Sequence, residues 1–210
     1  MTATAAPRAK PSIDGLVSRY LNRPLSRPAA RLLARTPLTP NQVTVASLLL
    51  AFGAGWLLVA GHNVWAALLI HASSVVDGVD GDLARLTGRA GRFGAVLDAV
   101  LDRYADAAIL GGMAWWAYRH EPYPAALLVG LAALTGAFAV SYSRARAEAS
   151  AGETLTGGAL GLASRDVRLL VAAVGCLVGQ PYWALALVAL AANATVLGRL
   201  LHLRRALSRG

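Results

Sequence analysis

The stretch D-G-V-D-G-D-L-A-R-L-T-G-R-A-G-R-F-G-A-V-L-D-A-V-L-D-R-Y-A-D, Asp77 to Asp106, decides how the rest of the chain is read. The whole sequence holds 11 acidic residues, and six of them (Asp77, Asp80, Asp82, Asp98, Asp102 and Asp106) fall here. Asp77 and Asp80 are three apart and Asp98 and Asp102 four apart, so on helices each pair shares one face. Two such faces brought together place four carboxylates around one small volume.

Outward from that stretch the chain is mostly Leu, Ala, Val and Gly. It is 56% hydrophobic over 210 residues, with formal net charge +9 and mean hydropathy +0.51. That hydropathy exceeds an ordinary soluble domain's and predicts an all-α integral membrane protein. A basic balance can signal nucleic acid. Here, however, the arginines alternate with apolar segments and no basic-aromatic platform or reading helix is visible, so no nucleic-acid partner is expected. The single cysteine, Cys176, excludes an intrachain disulfide and a Cys-rich zinc site. The basic, Pro-containing first 40 residues lack a short apolar core before a small-residue cleavage site, so no signal peptide is expected.

In chain order, residues 1–11 read as a disordered tail and 12–38 as an amphipathic juxtamembrane segment. In the latter, Leu16, Tyr20, Leu32 and Leu33 oppose Arg19, Arg23, Arg27, Arg31 and Arg35. Pro24 and Pro28 are expected to break it into two pieces, lying on an anionic leaflet with arginines toward lipid phosphate. Residues 39–205 read as a catalytic domain of six transmembrane helices. Val43–Ala60 is free of charge, Gly61-His62-Asn63 makes a tight turn, and Val64–Val76 stops at Asp77. Ala107–Tyr118 is also short, Pro122–Ser143 is full length, and Leu169–Gly198 is split at Gly179-Gln180-Pro181. A bilayer needs about 20 residues per helical span. Span two therefore extends to about Asp82, span three begins near Asp98, and span five takes in Arg165 and Arg168. Carboxylates and arginines so placed are costly unless they face a protein cavity, and such residues are functional candidates. With six spans, 19 of the 20 Lys and Arg residues fall on one side. Both termini and the Asp cluster are then cytoplasmic by the positive-inside rule.

Four carboxylates repel one another unless cations compensate. Two divalent ions would neutralise them, and all-oxygen ligands with no neighbouring His or Cys favour Mg²⁺ or Mn²⁺ over zinc. Two-metal carboxylate sites commonly serve phosphoryl transfer. The competing readings are a set of ion pairs with Arg85, Arg89, Arg92 and Arg103, and an ion or metal transporter. The first gains little stability for its desolvation. Against the second, the charges gather at one interface and not at the midplane. His62, His71, His120 and His202 are scattered and read as structural.

Asp77-x2-Asp80-Gly81-x2-Ala84-Arg85-x8-Gly94-x3-Asp98-x3-Asp102 resembles the defining motif of the CDP-alcohol phosphotransferases. The likeness extends to the basic arm, the T-P-N-Q-V-T entry to span one and the six-span layout. It implies transfer of a substituted phosphate from a CDP-linked donor to an acceptor hydroxyl, with release of CMP. By that resemblance Asp77, Asp80 and Asp98 hold the metals, while Asp102 bridges to the second metal and acts as base. Gly81, Ala84 and Gly94 line the cytidine pocket, and Arg85 neighbours the pyrophosphate or braces the Asp cluster. Asp82 and Asp106 lie outside the motif and their roles stay open, pairing with nearby arginines being one. The family also suggests a homodimer.

S-Y-S-R-A-R-A-E (141–148) and S-R-D-V-R-L (164–169) put Arg144, Arg146, Arg165 and Arg168 beside the cavity mouth. Guanidinium forks suit a second phosphate, so an anionic acceptor is expected; obedience to the positive-inside rule alone is the plain alternative. The two stretches are similar to those of the inositol-phosphate-using branches, one taking CDP-diacylglycerol as donor and the other CDP-inositol. Glycerol phosphate is the alternative acceptor.

Overall fold

The computed structural model describes residues 17–151 and 164–207. The expected tail 1–11 lies outside them, as do residues 12–16 of the juxtamembrane segment. Within them seven α-helices follow one another: α1 (Arg23–Leu33), α2 (Pro40–Val59), α3 (Asn63–Leu86), α4 (Arg92–His120), α5 (Ala126–Ala151), α6 (Arg165–Leu177) and α7 (Pro181–Leu207).

The two prolines do not break the N-terminal segment, contrary to expectation. Residues Ser18–Asn22 form a wider helical turn that runs straight into α1, with the Arg23 N–H donating to the Ser18 carbonyl. Pro24 falls in the first turn of α1, directly after the wider turn, and Pro28 sits inside the helix, yet the chain stays helical through both. The start of α2 is set by a reciprocal cap. The Thr39 hydroxyl accepts from the Gln42 N–H, the Gln42 side chain accepts from the Thr39 N–H at 2.8 Å, and Pro40 follows at the first helical position. Gly61 (φ +89°) and Gly179 (φ +72°) take the left-handed conformation that ends α2 and α6, and Pro181 then starts α7.

Among the described residues three helices are long and apolar enough to cross a membrane, at Pro40–Val59, Ala126–Ser150 and Pro181–Arg205. α3 and α4 are longer, about 36 and 44 Å at 1.5 Å per residue, but carry the aspartates in the halves nearest the 87–91 connection. α6 is shorter than expected for span five, because Ser164 adopts extended backbone and the helix starts only at Arg165. α5 begins four residues later than Pro122, since Glu121 is extended before the proline and Ala125 has φ +60°. It then runs past Ser143 through good helix formers, with Arg144 and Glu148 paired one turn apart.

α2 packs between α3 and α4, α5 against α4 and α7, and α6 against α3 and α7. The core is rich in small residues: Ala51, Ala54, Ala67, Ala105, Ala133 and Ala172 surround Leu58, Ile70, Ile109, Met113 and Leu185. Small side chains let backbones approach closely, which is how helices gain contact where no hydrophobic force drives them together. A Cβ on Gly112 would lie 2.8 Å from the Gly55 carbonyl oxygen, and one on Gly55 would lie 2.5 Å from that of Ala108. The outer surface keeps large apolar side chains exposed, among them Leu49, Trp56, Trp65, Leu128 and Leu190. This is the surface of an integral membrane protein, where the lipid-facing residues are as apolar as the core.

The turns α2–α3, α4–α5 and α6–α7 gather at one end. There the Asn63 side chain donates to the Cys176 carbonyl at 2.9 Å, and the Tyr182 N–H to the Glu121 carboxylate at 3.1 Å. All five tryptophans (Trp56, Trp65, Trp115, Trp116 and Trp183) lie near these turns. The aspartates lie toward the opposite end.

Candidate active site

The helical spacing of the Asp77–Asp106 stretch survives in three dimensions. Asp77 and Asp80 project from the last turns of α3, and Asp98, Asp102 and Asp106 from successive turns of α4. Oxygens of Asp77, Asp98 and Asp102 all lie within 4.8 Å of one another. Asp80 stands beside this trio, its carboxylate accepting from the Thr44 hydroxyl of α2 at 2.5 Å.

α6 brings in the compensating charge. The Arg165 guanidinium lies 2.7 Å from Asp77, 3.0 Å from Asp102 and 3.5 Å from Asp106. Arg168, buried at 3% exposure, donates to Asp106 at 2.8 Å. Arg103 reaches Asp102 at 3.4 Å and also bonds the Ser141 hydroxyl, which ties α4 to α5. Arg144 lies about one turn beyond Ser141 on α5, exposed and paired with Glu148 at 3.3 Å, and Arg146 is exposed on the same helix. Of the four arginines named from sequence, α6 therefore carries two among the aspartates and α5 carries two on the surface.

The donor set suits a hard divalent cation, since every ligand atom is a carboxylate oxygen. Oδ1 of Asp77 is buried without a hydrogen-bond partner. Asp98 has no ion-pair partner among the described residues. A buried, unsatisfied carboxylate oxygen is costly unless something positive completes it.

Beside the trio opens a cleft of about 230 Å³ between the start of α2, the end of α3 and the start of α4. Gly81, Ala84, Arg85 and Gly94 line it, together with Asp80 and Asp98. On α3 the small residues Gly81 and Ala84 alternate with Asp80 and Arg85 along the lining, so charged groups and space lie side by side. At Gly94 a Cβ would come 3.2 Å from the Asn41 side chain, so α2 and α4 meet closely at this mouth.

Asp82 and Asp106, the two aspartates outside the motif, both pair with arginines. Asp82 accepts from Arg23 and Ser26 of α1 and from Arg85 at 2.6 Å. Asp106 receives the two α6 arginines and Arg103 at 3.6 Å. Thr44 was not singled out from sequence as a partner of the site. Its signal lay in the T-P-N-Q-V-T entry, whose last residue turns out to face Asp80.

Comparison with known proteins places this arrangement. The sequence profile described as CDP-alcohol phosphatidyltransferase matches residues 37–198. A bifunctional IPC transferase and DIPP synthase from Rubrobacter xylanophilus is 47% identical over 196 residues, covering 91% of this chain, which spans 43% of that protein. A phosphatidylinositol phosphate synthase from Corynebacterium glutamicum is 39% identical, with 82% of each chain covered. Among solved structures, Mycobacterium tuberculosis phosphatidylinositol phosphate synthase with CDP-DAG bound superposes with a TM-score of 0.74 at 31% identity. The match covers 84% of this chain and 92% of that one. The same protein is known in complex with manganese and citrate, at the same TM-score. With the match running from before α2 into α7, and the motif aspartates gathered at one end of α3 and α4, the chain belongs to the CDP-alcohol phosphatidyltransferase family.

Proposed function

We propose that the protein transfers the phosphatidyl group of CDP-diacylglycerol to a hydroxyl of inositol phosphate, releasing CMP. The observation that carries this reading is the junction of the Asp77–Asp98–Asp102 trio with the cleft lined by Gly81, Ala84, Arg85 and Gly94. The similarity to the C. glutamicum and M. tuberculosis synthases supports the choice of substrates.

The cytidine of the donor rests against the small floor of the cleft, and Arg85 at its rim faces the pyrophosphate. Asp77, Asp80, Asp98 and Asp102 hold two divalent cations, Mg²⁺ or Mn²⁺, whose chemistry is to offset charge on phosphate oxygens. The acceptor oxygen attacks the β-phosphorus in line. The new P–O bond forms as the bond from that phosphorus to the CMP oxygen breaks, and the acceptor proton passes to Asp102. Arg144, Arg146 and Arg165 serve the acceptor's own phosphate, with Arg165 already at the edge of the carboxylates. Arg168 belongs to the same basic group and holds Asp106 in register.

We further place six crossings, α2 to α7, with α3, α4 and α6 carrying the charged site. The Trp-rich end faces away from the cytoplasm, while both termini and the site face toward it, as the arginine distribution requires. The amphipathic α1 lies along the membrane surface, and the protein works as a homodimer.

One second reading has a specific observation behind it. The 47% identity to the bifunctional R. xylanophilus protein favours CDP-inositol as donor with the same acceptor. The experiment is CMP release by purified protein with Mg²⁺ and inositol phosphate, offering CDP-diacylglycerol or CDP-inositol, with Asp102→Asn alongside. Metal-dependent CMP from CDP-diacylglycerol alone supports the proposal, and CMP from CDP-inositol alone replaces it with the second reading. CMP only with glycerol phosphate rejects the acceptor.

A further inference from the structure

The N-terminal helix carries a row of cations that the transfer reaction does not use. Arg19, Arg23, Arg27, Arg31 and Arg35 recur every fourth residue, and like charges at that spacing repel along a helix face. The helix is nonetheless held in place. Its stripe Asn22, Ser26 and Ala30 is buried, Asn22 donates to Ser74 at 3.0 Å, and Ser26 donates to Asp82 at 3.1 Å. Arg23 spends its charge on Asp82. Arg27 and Arg31 engage no carboxylate among the described residues and stand exposed beside the end of α3.

Between them and α3 lies a second cleft of about 240 Å³, lined by Arg27, Arg31, Asp82, Arg85 and Leu86. Asp82 does not repel an anion from it, because Arg23 and Arg85 occupy one of its oxygens and Ser26 the other. Four guanidinium groups thus surround one satisfied carboxylate. Arg85 lines this cleft and the first one alike. Leu25 and Leu32, on another face of the same helix, are exposed apolar side chains, as on a helix that lies at a membrane surface.

We infer that the Arg27–Arg31–Arg85 cleft is a second phosphate-binding site, adjoining the transfer cleft through Arg85 and occupied by the phosphate of an anionic membrane lipid. Forked arginine donors match phosphate oxygens. Because Arg85 belongs to both clefts, occupancy of the second steadies the side chain that faces the first. This site is independent of which donor the enzyme uses.

The test is native mass spectrometry of the full-length protein in detergent, offered equal phosphatidylglycerol and phosphatidylcholine. Retention is compared between the wild type, Arg27→Gln/Arg31→Gln, the lysine pair Arg27→Lys/Arg31→Lys, and Arg119→Gln at the opposite end. The expected result is selective retention of phosphatidylglycerol, weakened about tenfold in the glutamine pair, partly restored in the lysine pair and unchanged in Arg119→Gln. A parallel arm adds inorganic phosphate. Failure of millimolar phosphate to displace the lipid supports the lipid as occupant, while displacement in the wild type makes free phosphate the ligand and overturns that assignment. Equal retention of phosphatidylglycerol by the wild type and the glutamine pair overturns the site. CMP release plays no part in this readout, so failure of the proposed reaction leaves the test intact.

Discussion

The six aspartates are chemically identical, and their neighbours divide them into two sets. Asp77, Asp98 and Asp102 face one another with Arg165 at their edge, whereas Asp106 is almost wholly buried against Arg168. Removing one partner of a buried pair leaves the other charge uncompensated, at a cost of about 3–5 kcal/mol. Asp106→Asn is therefore expected to lower unfolding stability in micelles by that order. Asp102→Asn keeps the fold but lowers CMP release by about a hundredfold or more, the usual scale of a lost general base. Comparable stability losses in both variants would contradict this division. Thr44 belongs to the same argument. Its hydroxyl orients Asp80, and groups that orient a metal ligand commonly contribute tenfold or more in metal affinity. Thr44→Val should raise the Mg²⁺ concentration for half-maximal CMP release by about tenfold, with little change in stability. Asp106 shows the limit of reading residues alone, since its four-residue step from Asp102 matches the motif spacing and only its partners differ.

At the level of helices, the placement of the site depends on how closely α2 and α4 approach. Gly112 meets the Gly55 backbone, whereas its neighbour Gly111 has nothing within 4 Å of a built Cβ. Gly112→Ala must push the two helices apart, and overpacking of this kind costs about 1–3 kcal/mol. Gly111→Ala removes backbone freedom from the unfolded chain at no steric cost and should be neutral or slightly stabilising. Unfolding both variants in mixed micelles checks the contrast, which fails if the two lose equal stability. A shift between α2 and α4 would also move Thr44 relative to Asp98, so Gly112→Ala should reduce activity as well. The juxtamembrane helix shows the same dependence in reverse. Its prolines suggested a break, yet the wider turn at Ser18–Asn22 and the buried contacts of Asn22, Ser26 and Ala30 keep it continuous.

Across the whole molecule, the adjoining α3 and α4 and the distant α6 converge on one set of carboxylates, with α6 supplying arginine where the acid is densest. A cation that binds only this folded arrangement stabilises it by about 2.7 kcal/mol at a hundred times its dissociation constant. Mg²⁺ should accordingly raise the unfolding temperature of the wild type relative to EDTA. In Asp77→Asn/Asp98→Asn the shift should vanish while the folded baseline persists. A shift of equal size in that variant would move the metal elsewhere.

The all-helical class, the membrane character and the two face-sharing aspartate pairs were readable along the chain, because apolar content and helical period are local properties. So was the family motif, whose spacing sits within two adjoining helices. Tertiary structure alone decided that Arg165 enters the trio, and that Asp106 takes Arg168 from 62 residues away. It alone joined Asp82 to Arg23 across 59 residues and turned Thr44 toward Asp80. The reason is geometric. Sequence period determines which residues share a face, but rotation and sliding of one helix against another determine which faces meet. Those are set here by glycine and alanine contacts in the core, whose effect emerges only when all the helices are packed.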